Sequence, residues 1–186
     1  MNTTPVQTVA AALIPARQAP QPADDSALAA LLTSAEQAYA VQALVEQTLP
    51  GTGRRPAWKS GGPSRSAPLT HARLPDAGVW TSPAVTGQFH FHLRLIEAEI
   101  ALRLGDDVTT AQAAALTPES ASNLVEAMAV SIEVVDSRWQ QGTQAAALLK
   151  LADLQSHGAL ALGDWVPWVP RDWARQTCSV NIGQQP

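Results

Sequence analysis

The chain has 186 residues, 46% of them apolar and only 15% charged, with a formal net charge of -4. That length suffices for one core, and high apolar content with low charge excludes intrinsic disorder, which needs the reverse balance. A slightly acidic chain lacks the basic footprint of a phosphate-backbone binder, its lone Cys178 forms no internal disulfide, and no apolar run reaches the roughly 18 residues of a membrane span. No nucleic-acid or membrane partner is expected. The start lacks a basic, apolar leader, so the expected compartment is the cytoplasm.

In chain order, Ala10 to Arg17 is predicted as a short helix stopped by Pro20 and Pro22. From Ala27, apolar residues at Leu28, Leu31, Leu32, Ala35, Ala38 and Val41 recur at three- and four-residue spacing. They predict one long helix that Pro50-Gly51 ends. Residues 51–87 concentrate Gly, Pro and Ser and read as loops of functional length, with an extended piece at Ala57-Trp58-Lys59. Gly51-Thr52-Gly53-Arg54-Arg55 and Gly61-Gly62 offer a weak anion-nest signal within them.

From Phe89 the pattern changes to period two. Phe89, Phe91, Leu93 and Leu95 alternate with His90, His92 and Arg94, which predicts a half-buried strand with its odd positions inward. The same parity carries Glu97 and Glu99 onto the inward face and leaves His90 and His92 opposite, as surface or interface residues. Thr117-Pro118-Glu119 reads as a helix start, with helix to Val130, and Ile132, Val134 and Val135 frame Glu133 in a second strand. Gln144–Ser156 is predicted helical or partly extended, His157–Trp165 a strand and turn, and Thr177–Ile182 a last strand that contains Cys178, read as a buried or inert thiol. Helices first, then strands interleaved with helices, make an α+β pattern. The division expected is a helical region over residues 1–80, with a loop carrying Lys59 and Asp76, and a β-rich core over 81–186.

Two carboxylates sent inward side by side need an offset, because burial penalises each charge and proximity adds repulsion. Protonation of one, pairing with Arg94, Arg103 or Arg138, or a hard cation would supply it. Glu97 and Glu99 stand roughly 6–7 Å apart at Cα on a strand. With Glu133 as a third arm they would form one face of an octahedron suited to Mg²⁺ or Mn²⁺, with open positions for water and a chelating substrate. An isolated Glu-x-Glu is usually a solvated strand face, and parity is what argues otherwise here.

The order AYAVQ (38–42), WKSG (58–61), PDAG (75–78), IEAEIALRLG (96–105), IEVVDSRW (132–139) and ADLQSHGALALG (152–163) resembles the 2-keto-4-pentenoate hydratases of the fumarylacetoacetate hydrolase superfamily, which also includes the 4-oxalocrotonate decarboxylases. The resemblance implies a helical N-terminal region followed by a mixed β-sheet, barrel-like core, here short at the C-terminal end. It implies a Mg²⁺ or Mn²⁺ ion on Glu97, Glu99 and Glu133, and acid/base work by Lys59 with Asp76. The implied reaction is addition of water to a 2-hydroxy-2,4-dienoate or 2-oxo-4-pentenoate-type acid in aromatic-compound catabolism. Decarboxylation of a 4-oxalocrotonate-like acid and C–C hydrolysis are the sister reactions. A truncated, non-catalytic partner subunit is the alternative from another class. The expected assembly is a homo-oligomer, or a hetero-oligomer with a related subunit.

Overall fold

Thr4 opens the first helix. Its hydroxyl accepts the Gln7 N–H, the Gln7 side chain accepts the Thr4 N–H, and Pro5 takes the first turn, where a missing donor costs nothing. In the computed structural model, which describes residues 3–51, 56–62, 64, 66–87 and 89–183, α1 therefore spans Pro5–Ala16 and begins before the alanine run. The long helix expected from Ala27 does not form: residues 26–31 are turns. Ser34 then accepts the Gln37 N–H and the Gln37 side chain accepts from Thr33, so a fresh helix, α2, starts at Ala35 and ends at Glu46.

β1 (Trp58–Gly61) and β2 (Thr70–Arg73) form an antiparallel hairpin that sets Lys59 opposite Ala72. The extended piece at Trp58 and Lys59 is thus present. The hairpin is fastened to α2, whose Gln42 donates to Leu151 O at 2.6 Å and to His71 O at 3.3 Å while Tyr39 stacks on His71. The larger sheet has the order β3-β6-β5-β4, with β3 at Val79–Thr81, β4 at Leu95–Leu104, β5 at Val125–Val135 and β6 at His157–Leu162. β3 runs parallel to β6 and the other pairs are antiparallel; a two-residue β7 (Val166–Pro167) also joins β5. Short helices α3 (Thr110–Ala114) and α4 (Pro118–Ala121) link β4 to β5. A last helix, α5 (Ala147–Ala152), returns to α1 and α2, and Val9, Leu13, Val41, Val45, Trp139 and Leu149 fill the core between them.

Four local expectations are corrected. The strand begins at Leu95, not Phe89, because Asp136 accepts the N–H groups of His92 (2.7 Å) and Leu93 (2.8 Å) and Arg94 turns to a φ of 58°. The helix expected to Val130 stops early, and Val125–Val130 belongs to β5. Over this stretch β5 pairs with β4 on one side and, at Ala127 and Met128, with β7 on the other, and those ladders override local helix preference. The segment after Gln144 is, as expected, helical in part, over α5 and in a 3-10 turn at Leu154–Ser156. Thr177–Ile182 forms no strand among the described residues, and Cys178 is exposed rather than buried. Residues 52–55 of the suggested anion nest lie outside the described residues. The overall class is as expected, an α+β fold with N-terminal helices and a mixed sheet.

Candidate metal centre

The β4–β5 register places Glu97 directly opposite Glu133 and Glu99 opposite Ser131, so the three glutamates share one sheet face. One carboxylate oxygen from each lies within 4.8 Å of the others. The face is not a filled core: Glu97 is exposed, Glu99 half-buried and Glu133 buried. The arginines that sequence offers as partners are largely committed elsewhere. Arg103 bonds Glu126 at 2.6 Å and Arg138 bonds Asp153 at 2.6 Å, and among the described residues neither Glu97 nor Glu99 has an ion pair.

Lys59 is the cation that does reach the cluster. Its Nζ lies 2.7 Å from both oxygens of Glu133 and 3.3 Å from the carbonyl of Gln155. On the other side, His157 Nδ1 lies 2.8 Å from Glu133 Oε1. A carboxylate only accepts, so Nδ1 carries the proton and Nε2 is left as a bare acceptor, buried and without a partner among the described residues. Burial pushes the imidazole below its ordinary range, against the pull of Glu133. Burial alone would raise Glu133, but the His157 hydrogen bond and the Lys59 charge prevail and hold it below the usual carboxylate range. Glu99 has no such help. Burial, then the Glu133 charge, push it up to about 6.

The backbone behind the site is strained. Leu154, Gln155 and Ser156 have φ of 52°, 55° and 58°, three successive non-glycine residues in the left-handed region. Such residues cost about 1–2 kcal/mol each and normally occur singly. This turn aims the Gln155 carbonyl at Lys59, lets the Ser156 carbonyl accept the Asp136 N–H at 2.8 Å and delivers His157 under Glu133. Gly158 follows because nothing larger fits: a Cβ there would meet Val134 O at 2.7 Å and the Asp136 Cβ at 2.9 Å. Buried ion pairs brace the turn, with Asp153 bound by Arg138 and by Arg17 (3.1 Å). Burial and the nearby Arg138 charge lower the Arg17 guanidinium to about 10.

Asp76 opens a 3-10 turn, Asp76–Gly78, half-buried beside Arg73, Glu46 and Leu49. Gly78 lies against the Gly158 carbonyl. His90 and His92 stack edge to face at 4.9 Å and line, with Phe91, Asp136, Arg138 and Arg17, a cavity of about 360 Å³ whose walls include none of the three glutamates. Sequence reasoning picked the three glutamates and Lys59 but gave no role to His157 or to the Gln155 carbonyl. The available signal was a histidine between serine and glycine at the head of an apolar strand.

Three hard oxygen donors on a rigid two-strand ladder, two of them without cationic partners, suit a hexacoordinate divalent ion with open positions. The helical layer with its mixed sheet is a fold also found among solved structures. Among solved structures, the chain is similar to 4-oxalocrotonate decarboxylase from Pseudomonas putida G7. In the complex with magnesium and adipate the TM-score is 0.65 at 16% identity, covering 88% of this chain and 65% of that one. For the complex with calcium and acetate the values are 0.63, 16%, 88% and 64%. The chain thus spans just under two thirds of the length of these neighbours, and at this identity the likeness is one of fold. No family model and no curated protein sequence matches it. Among the described residues no helix is long and apolar enough to cross a membrane.

Proposed function

We propose that this chain is a divalent-cation-dependent enzyme of short 2-oxo acids, and that its reaction is hydration of a 2-hydroxy-2,4-dienoate or 2-oxo-4-pentenoate-type acid. The observation that carries the reading is the convergence of Glu97, Glu99 and Glu133 on one sheet face with Lys59 at its buried end. Those three glutamates would hold Mg²⁺ or Mn²⁺. The bound ion would polarise the 2-oxo group and stabilise enolate charge. His157 fixes the Glu133 carboxylate from behind through Oε1, while Lys59 holds both of its oxygens. Lys59, in reach of the same carboxylate, would donate a proton to the substrate's carbon skeleton as the ammonium and take one back as the amine so formed, with Asp76 as its proposed partner from the neighbouring turn. The strained Leu154–Ser156 turn keeps the Gln155 carbonyl on Lys59 and so restricts where the ammonium points.

A second reading, decarboxylation of a 4-oxalocrotonate-like acid, is favoured by the solved neighbours. Both reactions pass through the same enolate and differ in the group that leaves or adds. Purified protein with Mg²⁺ or Mn²⁺ is to be offered 2-hydroxypenta-2,4-dienoate and, separately, 4-oxalocrotonate, with products followed by NMR. A 4-hydroxy-2-oxo acid from the first supports hydration, and CO₂ release from the second supports decarboxylation. Turnover of neither, in protein that binds the cation, would refute the enzymatic reading.

A further inference from the structure

The cavity of about 360 Å³ lies apart from the three glutamates, between the C-terminal ends of α1 and α2 and the segment of residues 89–92. Its charged wall is built around Arg17. The Arg17 guanidinium, with its side chain 12% exposed, commits Nη1 to Asp153 at 3.1 Å and makes no other side-chain hydrogen bond among the described residues. Asp153 is shared, because the same Oδ1 accepts Arg138 Nε at 2.6 Å. Asp136, the carboxylate on the cavity wall, has Oδ1 taken by the N–H groups of His92 and Leu93 and Oδ2 at 3.6 Å from Arg138. Both guanidiniums therefore depend on carboxylates that are already multiply engaged. Arg17 falls to about 10 because burial and the Arg138 charge outweigh the attraction of the two aspartates. It stays a cation at neutral pH, yet it is held less favourably than in water, and the rest of its donor fork has no acceptor among the described residues.

Two further donors border the same space. His90 and His92 line it, 4.9 Å apart and edge to face, and neither imidazole is hydrogen-bonded among the described residues. Apolar wall is supplied by Ile14, Leu49 and Phe91, with Phe89 stacked on Phe91 at 6.2 Å. We propose that this cavity binds a small monocarboxylic acid, its carboxylate on the Arg17 fork and the imidazoles of His90 and His92, its compact apolar body against Phe91. A guanidinium takes a carboxylate through two parallel N–H···O bonds that are stronger than neutral hydrogen bonds, and the added anion supplies the charge that Asp153 and Asp136 leave short. A dianion such as phosphate fits less well, because α1 and α2 both turn the negative ends of their dipoles toward the cavity and Asp136 stands on its wall. A neutral ligand of the same shape leaves Arg17 unanswered. The volume is at the small end of pockets that enclose organic ligands, roughly 300–1000 Å³. With none of Glu97, Glu99 and Glu133 on its walls, the cavity is a second site, and the proposal rests on neither the cation nor the reaction proposed above.

Calorimetric titration of the full chain with benzoate tests it, in the presence of a chelator so that no cation recruits the carboxylate to the glutamates. Benzamide, which has the shape without the charge, and inorganic phosphate are the comparison probes. Arg17→Met keeps an apolar stem and removes the fork, and His90→Ala removes one donor from an exposed position at little cost to the fold. Arg103→Met is the control, since this half-exposed arginine pairs with Glu126 and is not on the cavity wall. Benzoate is expected to bind saturably with a Kd of about 1 mM or tighter. Arg17→Met should weaken it roughly tenfold or more and His90→Ala roughly threefold, with Arg103→Met unchanged. Benzamide and phosphate should each bind roughly tenfold more weakly than benzoate. Thermal melts check the fold of each variant, and because Arg17 also pairs with Asp153, His90→Ala decides the matter if Arg17→Met does not fold. Three results would overturn the proposal: no saturable benzoate binding up to about 20 mM, equal binding of benzamide or phosphate, or an affinity that every folded cavity variant leaves unchanged.

Discussion

Removing either member of the Lys59–Glu133 pair is expected to destabilise the protein strongly, and removing both is expected to cost little more than removing one. The ammonium lies 2.7 Å from both carboxylate oxygens, and the two side chains are 13% and 1% exposed. At an effective dielectric of about 20 and a charge separation of about 3.3 Å, the attraction is about 5 kcal/mol. Desolvation of both groups takes back most of that in the intact pair, but a variant that deletes one partner keeps the other charge buried and unanswered. Lys59→Met and Glu133→Gln should therefore each lose about 3 kcal/mol, and the double variant about 3–4 rather than 6, a coupling of about 2–3 kcal/mol. Urea unfolding in the presence of a chelator, at neutral pH, measures the cycle. Losses that add to within about 0.5 kcal/mol, or single losses below about 1 kcal/mol, would refute the reasoning that the pair is desolvated and mutually dependent.

Other expectations concern the same neighbourhood. Because the Glu99 carboxyl is pushed up to about 6, a proton must leave it before it can hold a cation. Apparent Mn²⁺ affinity, followed by calorimetry, should fall as pH drops through that value and level off above it, and pH-independent binding between 5 and 8 would contradict the assignment. Ser156 sits at a φ of 58° with no side-chain hydrogen bond among the described residues, so Ser156→Gly should stabilise the protein by about 1 kcal/mol and Ser156→Val should destabilise it. Equal thermal midpoints for the three proteins would argue against strain in this turn. Gly158→Ala should cost about 3 kcal/mol, because its Cβ has backbone, not a flexible side chain, 2.7 Å away. Wild-type stability in that variant would mean that Val134 and the turn yield freely.

Much of this arrangement was legible in residue order, and the failures have identifiable causes. Strand parity put Glu97 and Glu99 on one face, and that held because the alternation persists through β4. The burial inferred from the same parity did not, since β4 lies at the sheet edge among the described residues and is largely exposed on both faces. Period-two alternation from Phe89 gave no hint of the bend at Arg94, which is imposed by Asp136, a residue far away in sequence that captures two backbone donors. Val125–Val130 looked helical because its alanines and Met128 carry good helix propensity, and only the two flanking strands make it a strand. Within the site, Lys59 was found but its contact with Glu133 was not, because hairpin β1–β2 and strand β5 meet only in the folded chain. The left-handed Leu154–Ser156 turn was invisible for a similar reason: none of its three residues is glycine or asparagine, the residues that usually announce that conformation.

The most direct test of the central claim is anomalous diffraction from crystals of the full chain grown with Mn²⁺. The account predicts one manganese peak per chain with bonds to carboxylate oxygens of Glu97, Glu99 and Glu133, lost in crystals of Glu97→Gln/Glu99→Gln. Manganese absent from that position, with Glu133 still closed onto Lys59 and Glu97 and Glu99 turned to solvent, would contradict it.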